Sequence, residues 1–261
     1  MLSSLALRRD GWLIWSLAQR SLESRYRGSA FGLFWTLLQP LATLAIYSVV
    51  FGGVMRVQFA GGTASDFIVF VFCGLLAFSL LAESLNGSVT VLRTNANLIR
   101  QSSVRPHVFP LSVTIAALIG QIPAWLLLVV VALLLHRLSW TAVTLPLLLL
   151  PLLLISAGIN VFAAALAVFF HDITQIVGIA LTALFLLTPI FYPASAVPES
   201  LRWILHVNPL AWLVIAFRQV LLLGELPSMD LVVSSYVAGV VLFAIGIWTF
   251  SRLQPAFPDV L

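Results

Sequence analysis

The chain predicts an all-α membrane protein, and three observations carry that prediction. Hydrophobic residues make up 61% of its 261 residues and charged residues 8%, against about a quarter charged in a soluble domain. From Phe31 to Phe250 one apolar run follows another, broken by short polar gaps. Several of those runs reach the length of about 20 residues that a helix needs to cross a bilayer. A soluble core of this size cannot hide so much apolar surface, so the solvent is lipid. Transport, anchoring, or chemistry on a lipid are the function classes left open.

Residues 1–29 read as an amphipathic helix. Leu7, Gly11, Ile14, Trp15, Ala18 and Leu22 share one helical face, while Ser16, Arg20, Glu23 and Arg27 share another. The pattern fits a helix lying in the cytoplasmic interface, with Trp12 and Trp15 as anchors. Anchoring alone would account for it equally.

Six segments then qualify as spans: Phe31–Val54, Phe67–Leu92, His107–Leu135, Trp140–Phe170, Ile173–Tyr192 and Leu231–Phe250. Pro40 falls in the first, Pro110 and Pro123 in the third, Pro146 and Pro151 in the fourth, so kinks are expected. The fourth is long for one crossing and is expected to begin as an interfacial turn before spanning with tilt. Between the second and third spans lies Arg93–Arg105. It can form a short helix with Leu98 and Ile99 on one side, as a dock for a cytoplasmic partner or as an ordinary basic loop. Before the last span, Ser200–Val207 and Leu210–Leu223 are helical in pattern but too short or interrupted to cross. Asn208-Pro209 breaks the helix between them. Two re-entrant helices in 193–230 are expected, with Glu199, Arg202 and Arg218 at the rim or paired. A partly folded external cap is the alternative.

Arginine bias orients the bundle. With the N-terminus inside, nine arginines (Arg8, Arg9, Arg20, Arg25, Arg27, Arg93, Arg100, Arg105 and Arg252) are cytoplasmic, and four (Arg56, Arg137, Arg202 and Arg218) are external. Both termini are therefore expected in the cytoplasm. The first 29 residues are too rich in arginine and polar groups for a cleavable signal peptide.

Composition excludes several chemistries. All 13 basic residues are Arg, and a P-loop needs its Lys on the phosphates. ATP-driven transport would thus need a separate ATPase chain to bind ATP and Mg. The lone Cys73 cannot form an intrachain disulfide, and the four His are too scattered for a zinc motif. No catalytic residues and no metal site are expected, and no cofactor in this chain. A membrane enzyme on polyprenyl phosphates would need clustered acids or His, and His171-Asp172 is the only adjacent pair.

Inside the spans, Glu83 stands out, because an intramembrane carboxylate is costly and by default a functional candidate. It is expected to face a polar cavity or pair with an arginine. The lack of a second buried carboxylate and of a clear inverted repeat argues against an ion-coupled carrier. Gln39, Gln121, Asn160 and Gln175 add polarity that can bond between helices or line a channel. Trp35, Tyr47, Phe185 and Tyr192 are among many aromatics in or at the ends of spans. They suit sugar contacts, and equally core or interfacial positions.

Taken in order, these pieces resemble a known family. Arg25-Tyr26-Arg27-Gly28-Ser29, Gly32-Leu33-Phe34-Trp35 and Gln39-Pro40-Leu41 look like its entry into the first span. Cys73-Gly74-Leu75-Leu76 and Asn95-Ala96-Asn97-Leu98-Ile99 look like its second span and following loop. Thr188-Pro189-Ile190-Phe191-Tyr192-Pro193 and Asn208-Pro209-Leu210 look like its re-entrant region. His171-Asp172-Ile173 departs from an expected Arg-Asp-Ile. The chain thus resembles the permease subunit of bacterial ABC type-2 polysaccharide exporters, the O-antigen (Wzm-like) and teichoic-acid group, along nearly its whole length.

The resemblance implies one transmembrane domain over 1–261, paired with a second copy of itself and with two copies of a cytoplasmic ATPase, in the bacterial inner membrane. It implies a substrate of polysaccharide on undecaprenyl diphosphate, and no nucleic-acid partner. Arg93, Asn97, Leu98, Ile99 and Arg100 would belong to a coupling helix that receives the ATPase stroke. Trp35, Tyr47, Phe185 and Tyr192 would line part of the channel. A diphosphate at the inner interface needs arginine donors, and Arg20, Arg25 and Arg27 sit at that depth. Anionic lipid headgroups would suit the same arginines. A capsule exporter and a small-molecule permease of the same superfamily are the alternative readings.

Overall fold

A computed structural model of the chain describes residues 2–26, 28–47, 49–50, 64–101 and 104–261. Among the described residues every regular element is helical. In chain order the α-helices are α1 (Leu2–Tyr26), α2 (Trp35–Tyr47), α3 (Ala64–Thr94), α4 (Ala96–Gln101), α5 (Val108–Leu134) and α6 (Leu145–Phe169). They continue as α7 (Ile173–Leu187), α8 (Trp203–Val207), α9 (Pro209–Arg218), α10 (Met229–Leu253) and α11 (Phe257–Val260).

Four of the helical stretches are long and apolar enough to cross a bilayer: Asp66–Thr94, Val108–Leu134, Trp140–Phe169 and Met229–Val260. The bent pair Glu199–Val207 and Pro209–Leu223 raises the number to five if it counts as one span. These helices coincide with the expected second, third, fourth and sixth segments. The fourth begins, as expected, with a 3-10 turn at Trp140–Thr144. The expected fifth span is shorter than its apolar run, because α7 stops at Leu187 instead of Tyr192. Thr188 precedes a proline and is extended (φ −83°, ψ 134°), as pre-proline sterics require. In the first segment, α2 starts at Trp35. Gly28 and Gly32 hold φ of 84° and 49°, a left-handed geometry that ends α1 and delays α2. The segment's expected end at Val54 lies outside the described residues.

Helix α5 runs antiparallel to α3. A Cβ on Gly87 would lie 2.7 Å from Val113 Cγ1, and Arg137 grips Asp66 with Nε on Oδ1 at 2.7 Å and Nη2 on Oδ2 at 2.8 Å. That fork closes one end of the bundle. At the other end Leu92, Ile99, Phe109, Val168, Phe250 and Phe257 share one apolar cluster. The chain's C-terminal turn and α4 therefore lie together. Helices α6 and α10 meet backbone to backbone. A Cβ on Gly158 would sit 2.5 Å from Leu242 C, and one on Gly246 would collide with Gly158 O. Close approach through small residues is how membrane helices gain packing without a hydrophobic driving force between them.

Helix α1 packs lengthwise on the first half of α5. Asp10 Oδ2 accepts from Arg105 at 3.0 Å, Ala18 and Leu22 bury against Ala116, and Leu22 reaches Gly120. The two helices thus run in the same direction. Trp12 is 68% exposed and Trp15 49%.

The hairpin before α10 has nearly the expected bounds and a 94° bend. Asn208 caps α9 by accepting from the Leu210 and Ala211 amides, while its Nδ2 donates to Thr188 Oγ1 at 2.9 Å. Helix α9 is buried along most of its length, and its last turn widens into a π-helical turn at Gln219–Leu223. Arg218 departs from the expectation of a rim position. It is 7% exposed, donates to Phe70 O at 3.1 Å and Ile190 O at 2.8 Å, and lies 3.3 Å from the centre of the Phe70 ring. Carbonyl dipoles and a ring face solvate it in place of water. Arg202 stays exposed and pairs with Glu199 at 3.5 Å.

Candidate functional site

The C-terminal turn of α1 reaches a polar cavity between α2, α3, α5 and α7. Its volume is about 290 Å³. Arg25 enters it from α1 and pairs with Glu83 of α3. The pair is half-open, with the two side chains 39% and 29% exposed. Thr36, Gln39 and Thr43 face it from α2, Ser79 from α3 and Gln121 from α5. Helical spacing explains the set: Ser79 and Glu83 are four apart on α3, and Thr36, Gln39 and Thr43 are three and four apart on α2. Ser79 Oγ donates to Leu75 O at 2.6 Å. Gln121 is 7% exposed, and its Oε1 has no hydrogen-bond partner among the described residues.

Aromatics lead away from this cavity. Phe78 and Phe185 lie 4.9 Å apart, Phe185 and Phe191 5.4 Å, and Phe191 and Tyr47 5.7 Å, centroid to centroid. The structure therefore joins two of the four expected aromatics, Phe185 and Tyr47, through Phe78 and Phe191. It does not join the other two. Trp35 is exposed at the start of α2, donates Nε1 to Ser29 Oγ at 2.8 Å and meets Phe31 edge-on. Tyr192 donates to Leu186 O and lines a separate, apolar cavity of about 310 Å³ with Leu187, Val197, Leu201 and Leu205.

Of the three expected arginines, Arg25 is the one that lines the cavity. Arg20 is exposed on α1, away from it, and Arg27 lies outside the described residues. In the segment expected to couple to the ATPase, Leu98 and Ile99 part company. Ile99 is buried in the end cluster, while Leu98 is 49% exposed, with Asn97 and Arg100 exposed beside it. Arg93 turns inward, its Nη2 lying 3.5 Å from Val168 O at the end of α6.

A second polar cluster ties α1 to the segment entering α5. Asp10 Oδ2 accepts from Arg105 and lies 3.9 Å from His107 Nε2. Burial pushes the His107 pKa below its ordinary value and outweighs the Asp10 charge that raises it. Sequence reading missed this cluster, since its partners stand 95 residues apart. Gln39 and Gln121 were legible only as polar residues in apolar runs. Asn160, of the same kind, bonds between helices instead, donating to Thr114 Oγ1 at 2.8 Å.

A bundle of long apolar helices, with a cavity between them that an arginine–glutamate pair lines, defines the class as a membrane protein. The chain matches the model of the ABC-2 type transporter family over residues 13–222, and it belongs to that family. It is thus a multi-pass inner-membrane transport subunit of a kind that works with an ABC ATPase. It is 28% identical to the O-antigen export system permease protein RfbA of Klebsiella pneumoniae, over 94% of this chain and 93% of that protein. Identity to RfbA of Myxococcus xanthus is 29%, over 92% of this chain and 90% of the relative. The polysialic acid transport protein KpsM of Escherichia coli is 26% identical, over 80% and 81%.

Proposed function

We propose that this chain is the permease subunit of an ATP-driven O-antigen exporter, moving undecaprenyl-diphosphate-linked polysaccharide across the inner membrane. The observation that carries this reading is the Arg25 cavity with a chain of aromatics leading from it. An arginine fork suits a diphosphate, and ring faces suit the apolar C–H faces of sugars. The near full-length similarity to two O-antigen export permeases supports the same reading. Similarity to the polysialic acid transport protein spans less of the chain.

In this reading α2 and α7 complete six spans, and the α8–α9 hairpin re-enters from outside. Charged pairs set the depth. From Asp66 to Glu83 helix α3 rises about 26 Å at 1.5 Å per residue, close to the hydrocarbon thickness of about 30 Å. Asp66–Arg137 then marks the outer boundary and Glu83–Arg25 the inner one. Glu83 is a boundary group more than a deep one, and α1 lies against the cytoplasmic overhang of the bundle. Both termini and α4 are cytoplasmic. Leu98, Asn97 and Arg100 form the exposed face that meets the ATPase, while Ile99 and Arg93 pass its motion to α5, α6 and α10. Two copies of this chain form the channel above two ATPase subunits. Arg25 holds the diphosphate.

Deleting the gene in its host tests the function. Loss of surface O-antigen, with undecaprenyl-linked chains building up inside, is the expected result. Unchanged surface polymer would point to a small-molecule permease and remove the diphosphate assignment with it.

A further inference from the structure

A second cavity, of about 410 Å³, opens between α3 and α7. Among the described residues it shares only Phe78 and Phe185 with the Arg25 cavity. The ring pair therefore stands as a wall between two chambers of different chemistry. The Arg25 side holds the ion pair. No charged residue lines the other side among the described residues. Asn86 borders it from α3, and Gly178 and Thr182 border it from α7. All three are exposed.

The uncharged chamber has the parts that hold a sugar ring. Phe78 and Phe185, 4.9 Å apart, offer aromatic surface to apolar C–H groups. The Asn86 amide offers a donor and an acceptor together, and no hydrogen bond occupies it among the described residues. Thr182 Oγ1 donates to Gly178 O at 2.9 Å, which leaves its lone pairs for an incoming O–H. A Cβ on Gly178 would meet nothing within 4 Å, so the space between these groups is open. A hydrocarbon chain fits worse, because it would strip water from the amide without replacing its hydrogen bonds. An anion fits worse too, with no cation in the lining among the described residues. Depth agrees. In the proposed topology Asn86 lies three residues beyond Glu83 toward the cytoplasm, a rise of about 4.5 Å. A sugar on a lipid diphosphate projects away from the bilayer, so its ring falls on that side of the charged group.

We propose that the α3–α7 chamber is a glycan subsite, taking the sugar next to the diphosphate, with the Phe78–Phe185 rings against its C–H face, Asn86 on its polar substituents and Thr182 accepting from a hydroxyl. This rests on the reading of the chain as a permease for lipid-linked polysaccharide. The chamber gives the protein a means to tell a sugar-bearing lipid from the bare carrier, which the Arg25 cavity alone lacks.

The test is equilibrium binding to the chain with its ATPase partner in nanodiscs. The probes are undecaprenyl diphosphate and the same lipid carrying one N-acetylhexosamine. The wild type is expected to bind the sugar-bearing probe about fivefold more tightly. Asn86→Leu and Thr182→Val should each remove most of that preference. Gly178→Leu, which grows into open space, should fill the chamber and abolish the preference. All three should bind the bare carrier as the wild type does, which shows the fold and the Arg25 cavity intact. The proposal is overturned if the three variants keep the wild-type preference, or if they lose the bare carrier as well. It is also overturned if Gly178→Leu lowers the mass of the purified complex, because the chamber is then an interface between copies. Failure of the wider reading looks different: the wild type then binds neither probe, or Arg25→Ala binds both as the wild type does.

Discussion

At the scale of single residues, Arg218 shows how a charge can be kept inside this bundle. Its guanidinium is held by two carbonyls from different segments, Phe70 O and Ile190 O, and by the Phe70 ring. It therefore fastens the end of α9 to α3 and to the turn after α7. Replacing it with Met leaves both carbonyls short of a donor, and the expected loss is about 2 to 3 kcal/mol. Arg218→Lys keeps the charge but not the fork, and should fall between. Cys73, the only cysteine and fully buried, supplies the readout: a thiol-reactive dye labels it as the fold opens, so the labelling temperature should drop in the order wild type, Lys, Met. Gly246 offers a harsher case. A Val there collides with the Gly158 carbonyl, so α6 and α10 must separate. Little folded protein is expected on size exclusion, whereas Gly11→Ala, with open space around it, should be normal.

At the scale of elements, α1 is the piece whose role changes most between sequence and structure. Its apolar periodicity is written in the sequence, and Ala18 and Leu22 of that stripe are buried as the pattern implies. Its lengthwise course along α5 is not, because it depends on Asp10 meeting Arg105. No local pattern reports such a pairing. The spans of α3, α5, α6 and α10 were legible for the opposite reason: length and hydropathy are local properties. Asn208-Pro209 likewise announced the bend of the hairpin, since a proline and its cap act on their own neighbours. The cavity was legible only in fragments, as Arg25, Glu83 and two glutamines on four different helices. The α1–α5 clamp carries a pH prediction. His107 sits below its ordinary pKa of 6.5 in the folded chain, so the unfolded chain binds more protons and stability rises with pH. Its contribution is complete above about 6.5 and is lost as pH falls through the lower folded value. Melting at pH 5.5 and 7.5 should show a steeper acid loss in wild type than in His107→Gln. Asp10→Asn should lower polymer export severalfold, at unchanged protein level, if α1 carries motion from the coupling segment to the cavity.

At the scale of the whole molecule, the proposed topology makes a direct prediction. In a Cys73→Ser background, Ser195→Cys lies in the external stretch and Ser251→Cys near the end of α10. An impermeant maleimide added to cells with a permeabilised outer membrane should label the first. It should label the second only after lysis, and the reverse pattern would invert the bundle. The packing also divides the molecule in two. Along the glycine seam, α6 and α10 touch through their backbones, so neither can slide past the other without a clash. In the proposed reading, a stroke delivered at α4 leaves that pair standing as a stator. The same reading gives the displacement to α1, α2 and α7, three of the helices that border the Arg25 cavity. The part of the chain that would grip the cargo is then also the part free to move, so grip and motion are one event.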